Sequence, residues 1–398
     1  MRLRPRSPVQ VLVLGAVTLL LASCGGDSDN NFSLTAAPLT SAMVLQPGPA
    51  EVGVTTMVFE DTSRPTMPNG SYAGASSRTL VTEIWYPTDA GTAAAGQETR
   101  DAPSARGGRP FPLIIYSHGF MSMRTGGAYL ARQLASYGYV VAAPDFPLTN
   151  IHAPGGANVL DLAQQPGDVH FLIDRLLALS GDAHSPLAGG IDPHRIGLTG
   201  LSLGGTTTFL AAFRPTLRDP RVRAAAPMAG GTCFFGPSFY GTRSVPLLIV
   251  HGDLDAIVPY PQNAVFAFDE ANRPKYLATL VGGSHTGFAD GTEIFDTQNN
   301  VDDVGCFALR GTLPEGGNQS LLDDLGGAAA GIIAGDCPAP CSGSSPLPRA
   351  IRPSRQHQLT ILTIVPFFEA TFRGDQRARH FLEETAAAEN PELKIQRP

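Results

Sequence analysis

Between residues 52 and 281 the chain alternates short apolar runs with segments of helical period, and no other feature restricts its fold so much. Residues 79–86 alternate in polarity and are rich in β-branched and aromatic types, the pattern of a strand. Residues 112–116 and 139–143 are short apolar runs, the first leading into Ser117-His118-Gly119 and the second into Pro144-Asp145; both read as buried strands. Further strands are predicted at 52–59, 195–199, 222–228, 245–250 and 276–281, eight in all. Helices are predicted over 129–137, stopped by Gly138, and over 203–213. A third carries the stripe Val169, Leu172, Ile173, Leu176 and Leu177 behind Pro166 and Asp168. Strands separated by helices predict an α/β fold, a mostly parallel eight-stranded sheet with helices on both faces. Ligand chemistry in such sheets gathers at the carboxyl ends of the strands.

Composition agrees with that reading. The 398 residues are 43% hydrophobic and 16% charged, enough to fill a core and too apolar for wholesale disorder. Gly (44) and Pro (34) make up about a fifth of the chain, which favours loops and excludes coiled coil, collagen and helical bundle. The net charge is −7, and no arginine cluster accompanies the shortage of lysine (only Lys275 and Lys394). Neither a nucleic-acid partner nor a basic membrane-binding face is expected.

Four strand-end loops hold the residues suited to chemistry. After the strand ending at Thr199 comes Gly200-Leu201-Ser202-Leu203-Gly204-Gly205, a GxSxG elbow in the strand–turn–helix context that motif requires. Its glycines permit a sharp turn, and Ser202 then stands at a helix N-terminus, where free N–H groups favour an oxyanion. The alternative is a glycine-rich helix start chosen for close packing. A serine nucleophile needs a base. His285 is the candidate, in Gly283-Ser284-His285-Thr286-Gly287-Phe288 beyond the last strand, whereas His118 and His251 begin loops where backbone roles fit better. The base needs an acidic orienter. In His251-Gly252-Asp253-Leu254-Asp255 the second aspartate has cleared the strand end, and Asp253 reads as a turn former. The loop Ser117-His118-Gly119-Phe120 supplies the last part, since an oxyanion hole takes one N–H after the nucleophile and one from this loop. Leu203 and Phe120 fill those places.

The N-terminus reads as an address. Arg2, Arg4 and Arg6 precede an apolar run at 9–22, shorter than the roughly 20 residues a bilayer span needs but suited to a secretory signal. Leu21-Ala22-Ser23-Cys24 resembles a bacterial lipobox, which implies lipidation of Cys24; an ordinary signal cut nearby would leave Cys24 incidental. Residues 1–23 are expected to be a signal peptide, 24–50 a flexible tether, and 51–398 the globular domain. Loss of the three arginines takes the net charge to −10. Four cysteines remain, Cys233, Cys306, Cys337 and Cys341. In an oxidising compartment they suggest two disulfides, with three possible connectivities. The closeness of Cys337 to Cys341 favours that pair, leaving Cys233 with Cys306. No CxxC pair or histidine partner supports zinc, so no metal is expected.

With those motifs in place, the chain resembles the α/β-hydrolase superfamily of serine esterases. Within it, it is similar to dienelactone-hydrolase-like proteins, platelet-activating-factor acetylhydrolases and cutinase-like polyester hydrolases, over about residues 50–290. The resemblance implies a last helix at about 357–373, packed behind the histidine loop. It also implies a triad in the order Ser202, Asp255, His285 and no metal or organic cofactor. The chain departs from dienelactone hydrolases, whose nucleophile is a cysteine, and carries an insertion at 290–354 holding three of the four cysteines. That insertion is expected either to rim an acyl pocket or to be a disulfide-pinned surface excursion. Phe234, Phe235, Phe239 and Tyr240 are candidates for a pocket wall.

The expected protein is therefore a serine carboxylic-ester hydrolase of the cell envelope, membrane-associated only through its lipid anchor. Its substrate is a small-molecule, lipid or polymeric ester. A peptidase or an acyltransferase would use the same triad. A non-catalytic lipoprotein binding apolar ligands is the reading from another class, and it has no need of all three triad residues.

Overall fold

The apolar runs identified above are buried on both faces, so the sheet they form must be covered twice. A computed structural model describes residues 37–89, 91–92, 98–105, 110–241, 243–312, 319–335 and 337–398; the expected signal peptide and Cys24 lie outside the described residues. Ten strands are found among them: β1 (Glu51–Asp61), β2 (Arg78–Thr88), β3 (Glu98–Arg100), β4 (Phe111–Ser117), β5 (Val140–Pro144), β6 (Ile191–Leu201), β7 (Val222–Met228), β8 (Leu247–Gly252), β9 (Lys275–Leu280) and β10 (Leu393–Gln396). They form one sheet in the order β10-β9-β8-β7-β6-β4-β5-β2-β1-β3. All eight expected strands are present. The two additions, β3 and β10, are edge strands of three and four residues, too short to show a period in sequence.

From β5 through β4, β6, β7 and β8 to β9 every pairing is parallel, whereas β1–β2, β2–β5 and β9–β10 are antiparallel. The sheet grows from β4 to one side with β5 and then reverses to the other with β6. The crevice between the carboxyl ends of β4 and β6 is thus the topological switch point, where α/β sheets bind ligands.

Adjacent residues of β4 and β5 enter different cores. Leu113, Ile115, Val140 and Ala142 pack with Leu172, Ile173 and Leu176 of the helix Gln165–Gly181 and with Leu210 and Phe213 of the helix Leu203–Phe213. Ile114, Tyr116, Val141 and Ala143 pack on the opposite face with Leu130 and Leu134 of the helix Ala128–Ser136 and with Leu359 and Leu362 of the helix Pro353–Phe372. This two-sided burial is the helix–sheet–helix layering expected of a parallel sheet.

The compact domain begins before residue 51, inside the segment expected to be a tether. Residues 38–398 form one compact unit, and Val44 is buried in the second core. The Gln133 side-chain amide donates to the carbonyls of Val44 and Gln46, at 2.9 and 2.7 Å, and the Gly48 N–H donates to Ser136 Oγ at 2.8 Å. The apolar Leu39, Val44 and Leu45 found cover on this face, so the chain from Pro38 onward belongs to the domain.

One buried charge cluster ties β2 to the first core. Arg78, fully buried, donates to both Asp161 oxygens at 2.9 Å and to both Asp168 oxygens at 2.7 Å; Arg64 meets Asp168 from outside at 2.7 Å. Burial opposes the Arg78 charge, but the two carboxylates outweigh it and hold the guanidinium charged. Replacing Arg78 with Met leaves two buried carboxylates with one partly exposed arginine. The expected cost is about 3–5 kcal/mol, the usual penalty for breaking a buried pair. It is checked by urea denaturation, and an unchanged midpoint would contradict the assignment.

Candidate active site

β6 ends at Leu201 and the next helix begins at Leu203, leaving Ser202 to make the turn alone, with φ +58° and ψ −118°. A non-glycine residue there is strained by about 1–3 kcal/mol and persists only when its surroundings impose the turn. Those surroundings are backbone. A Cβ on Gly204 would sit 2.0 Å from the Ser117 carbonyl oxygen, and one on Gly200 would sit 2.5 Å from the Gly204 oxygen. Only glycine lets β6, its helix and the end of β4 approach this closely.

The loops after β8 and β9 bring the other two expected triad residues to the serine. Ser202 Oγ lies 2.8 Å from His285 Nε2, and His285 Nδ1 lies 2.7 Å from Asp255 Oδ2. Asp255 Oδ1 accepts the N–H groups of Ile257 and Val258 at 2.9 and 2.6 Å, so the carboxylate is fixed before it meets the imidazole. Asp253 points elsewhere and accepts the Gly282 N–H at 2.6 Å. His251, fully buried on β8, places Nε2 2.8 Å from the Val258 carbonyl and 3.1 Å from Asp255 Oδ2.

Electrostatics follow from this packing. Burial alone would raise the Asp255 carboxyl, but the charge of His285 and hydrogen bonds from His251 and His285 hold it well below the usual carboxylate range. Burial alone would lower His285, but the Asp255 charge and hydrogen bond, with the charge of Asp302, push it above the ordinary histidine value. With Asp255 accepting at Nδ1, Nε2 is the free lone pair and the Ser202 hydroxyl donates to it.

The β4 loop lies against the serine, since a Cβ on Gly119 would sit 3.3 Å from Ser202 Cβ. His118 determines how that loop is turned. Its Nε2 accepts the Phe146 N–H at 3.1 Å, so the proton is on Nδ1, which donates to the Gly119 carbonyl at 2.7 Å. Burial outweighs that bond and keeps the ring's pKa below normal, hence neutral. In a trans peptide the N–H points opposite to the carbonyl, so holding the Gly119 oxygen aims the Phe120 N–H the other way. Among the described residues neither the Phe120 nor the Leu203 N–H meets a protein acceptor.

Two features were not read from the sequence. Asp302, at the start of the helix Asp302–Leu309 within the insertion, is fully buried. Its Oδ2 accepts the N–H groups of His285 and Ala256 at 2.9 and 3.0 Å, and its Oδ1 that of Thr286 at 2.6 Å. Burial and the Asp255 charge raise its carboxyl above the ordinary value. Gln356 holds the same loop from the helix behind it, accepting the Ser284 N–H at 3.0 Å and donating to the Ser284 carbonyl at 2.7 Å. The only signal for Asp302 was an Asn300-Val301-Asp302-Asp303 helix start.

The disulfides correct the expected pairing. They are Cys233–Cys337 and Cys306–Cys341, with Cα–Cα distances of 5.4 and 5.8 Å. The insertion doubles back along two separate segments. Ile332 pairs with Phe235, which brings Cys337 to Cys233, while the Cys341 N–H donates to the Ala256 carbonyl at 2.7 Å, beside the helix carrying Cys306. The aromatic cluster is likewise corrected. Phe235 and Tyr240 are fully buried against Phe209, and Phe239 is buried in a stack on Phe235; only Phe234 of the four lines the cleft.

That cleft has a volume of about 800 Å³ and exposes Ser202 and His285, with apolar walls from Phe120, Met121, Leu203, Phe234, Ile257 and Leu309. Residues of the insertion, Leu309 among them, form part of its rim. Among the described residues no group of three or more His, Cys, Asp or Glu is placed to hold a metal ion, and no helix is long and apolar enough to cross a membrane.

Known proteins share this architecture. Residues 81–299, more than half the chain, match the PET hydrolase-like family. The chain is 31% identical over 150 residues to cutinase est1 of Thermobifida alba, covering 37% of this chain and 44% of the relative. It is 29% identical over 255 residues to the bis(hydroxyethyl) terephthalate hydrolase of Streptomyces coelicolor, covering 64% of each. It is 32% identical over 162 residues to the poly(3-hydroxyoctanoate) depolymerase of Pseudomonas fluorescens, covering 38% and 54%. The matches thus span 44% to 64% of these relatives' lengths. A solved ferulic acid esterase from Streptomyces cinnamoneus shares the fold, at a TM-score of 0.57 and 23% identity, covering 91% of this chain and 98% of that one. The residue match, the switch-point cleft and the elbow place this chain in the PET hydrolase-like family, on an α/β-hydrolase fold.

Proposed function

We propose that the protein is a serine carboxylic-ester hydrolase. The observation that carries this reading is the Ser202–His285–Asp255 chain of hydrogen bonds, 2.8 and 2.7 Å long, in a cleft also lined by Phe120 and Leu203, whose N–H groups meet no acceptor among the described residues. His285 Nε2 takes the Ser202 proton as Oγ attacks the ester carbonyl. The oxyanion is received by the Phe120 and Leu203 N–H groups, and the imidazolium is stabilised by Asp255. His285 returns the proton to the departing alcohol, then takes one from the water that attacks the acyl carbon and passes it to Ser202 Oγ as the acid leaves, which restores the free serine.

The mostly apolar cleft and the substrates named for the terephthalate hydrolase and the polyester depolymerase support a hydrophobic acyl or aromatic ester, polymeric or small. The N-terminal sequence supports export and a lipid tether at Cys24.

Turnover of p-nitrophenyl esters from two to twelve carbons tests the reading directly. Ser202→Ala is expected to lose about four orders of magnitude or more while remaining folded by circular dichroism; retained turnover would refute the assignment.

A pH profile tests the base. Protonated His285 cannot accept the serine proton, and its raised pKa extends that inactive form upward in pH. The acid limb of kcat/KM is therefore expected to be centred above about 6.5, the ordinary histidine value. A limb centred below about 6 would contradict a base held by Asp255.

His118→Leu tests the oxyanion loop. It leaves the Phe146 N–H buried without its partner, at about 1–3 kcal/mol, and leaves the Gly119 carbonyl held only by the Ser122 N–H at 3.1 Å, which loosens the peptide that aims the Phe120 N–H. Steady-state kinetics are expected to show kcat lower by about tenfold or more with KM little changed. A raised KM with unchanged kcat would mean the loop binds substrate instead.

A further inference from the structure

The buried carboxylate of Asp302 has no part in the chemistry above, yet it touches both loops on which that chemistry depends. Its three contacts are backbone N–H donors, two from the histidine loop (His285 and Thr286) and one from the acid loop (Ala256, next to Asp255). All three are donors to oxygen, which suits an ionised carboxylate, the acceptor-only form. We propose that Asp302 is a positioning residue, which clamps the His285 loop onto the Asp255 loop and whose charge sustains the imidazolium of the working enzyme.

The surrounding structure holds the clamp in place. Asn300 Oδ1 accepts the Asp302 N–H at 2.9 Å, while its amide donates to the Pro348 carbonyl at 2.9 Å. One turn on, Cys306 is bonded to Cys341, whose N–H returns to the Ala256 carbonyl. Between them Gly305 lies so close to the histidine loop that a Cβ would sit 2.2 Å from Thr286 Oγ1. The insertion therefore grips the acid loop at Ala256 N–H and Ala256 O alike, and the histidine loop at two successive N–H groups. Asp302 is absent from the cleft lining, so it acts through His285 rather than on substrate.

The charged and titratable groups facing His285 are Asp255 on the β8 loop, with His251 behind it, and Asp302 on the insertion. Asp255 remains when Asp302 is neutralised, so the imidazole keeps its tautomer and loses only part of the field that favours its charged form. A misplaced base and a weaker field have different kinetic signatures, which makes the two halves of the proposal separable.

The proposal rests on the triad reading. Retained turnover in Ser202→Ala overturns that reading, whereas Asp302 variants test the clamp alone. Asp302→Asn, confirmed as folded by circular dichroism, is expected to lower kcat about 10- to 100-fold, as for a misplaced base. KM should stay within about twofold, and the acid limb of kcat/KM should move down by about half a pH unit or more. Asp302→Glu, which keeps the charge, is expected to restore most of the acid-limb position. Should Asp302→Asn not fold, Asn300→Ala carries the test, since it loosens the helix start and leaves the carboxylate. It is expected to lower kcat about 3- to 10-fold with a smaller downward shift of the limb. Wild-type kcat and acid limb in a folded Asp302→Asn, or in Asn300→Ala in its place, would overturn the proposal.

Discussion

The ends of β4 and β6 meet backbone to backbone, and the site depends on that contact. The Gly204 Cα has the Ser117 carbonyl where any side chain would begin, so the first turn of the Leu203 helix and the β4 loop share one small space. Ser202 is forced into a left-handed turn by this crowding, and Leu203 and Phe120 line the same cleft. A parallel sheet that reverses its direction of growth between β4 and β6 makes such a meeting possible, because the crossover helices leave the crevice open on opposite faces. His118 Nδ1 and the Ser122 N–H then both hold the Gly119 carbonyl.

Burial and charge oppose each other at the histidine, and the balance shows what the site is built to do. Desolvation alone would favour neutral His285 and neutral Asp255. The 2.7 Å bond between them reverses both tendencies, and Asp302 adds a second negative charge behind the ring. The cost of burying two carboxylates is offset by convergent N–H donors, two on Asp255 Oδ1 and three on Asp302. Each donor is backbone, so the electrostatics of the site are set by loop conformation as much as by side-chain identity. The Arg78 cluster beneath β2 follows the other solution to buried charge, a direct ion pair.

Much of this was legible in the chain because strand ends and their loops are local. The eight longer strands announced themselves through runs such as 112–116, whose neighbours enter opposite cores. The elbow, the β4 loop and the loops bearing Asp255 and His285 each follow such a run directly. What escaped depends on the path of the insertion through space. Nothing in sequence says that Cys341 returns to Ala256 while Cys337 runs beside Cys233, and proximity in the chain favoured the wrong pair. Asp302 escaped for the same reason, its partners lying 16 to 46 residues away. Phe235 and Phe239 escaped because a loop aromatic gives no sign of whether it faces the cleft or the core; here the two stack in the core. The docked segment after Pro38 escaped because its few apolar residues carry no period.

The central claim is that Ser202 is the nucleophile that carries the acyl group, and phosphonylation of its hydroxyl with loss of fluoride tests it most directly. Soluble protein beginning near Asn30 would be treated with a fluorophosphonate, then weighed intact and mapped by peptide mass spectrometry. A single adduct per chain is expected, localised to Ser202 and abolished by prior acidification that protonates His285. An adduct on another residue, or none in protein that retains its fold, would contradict it.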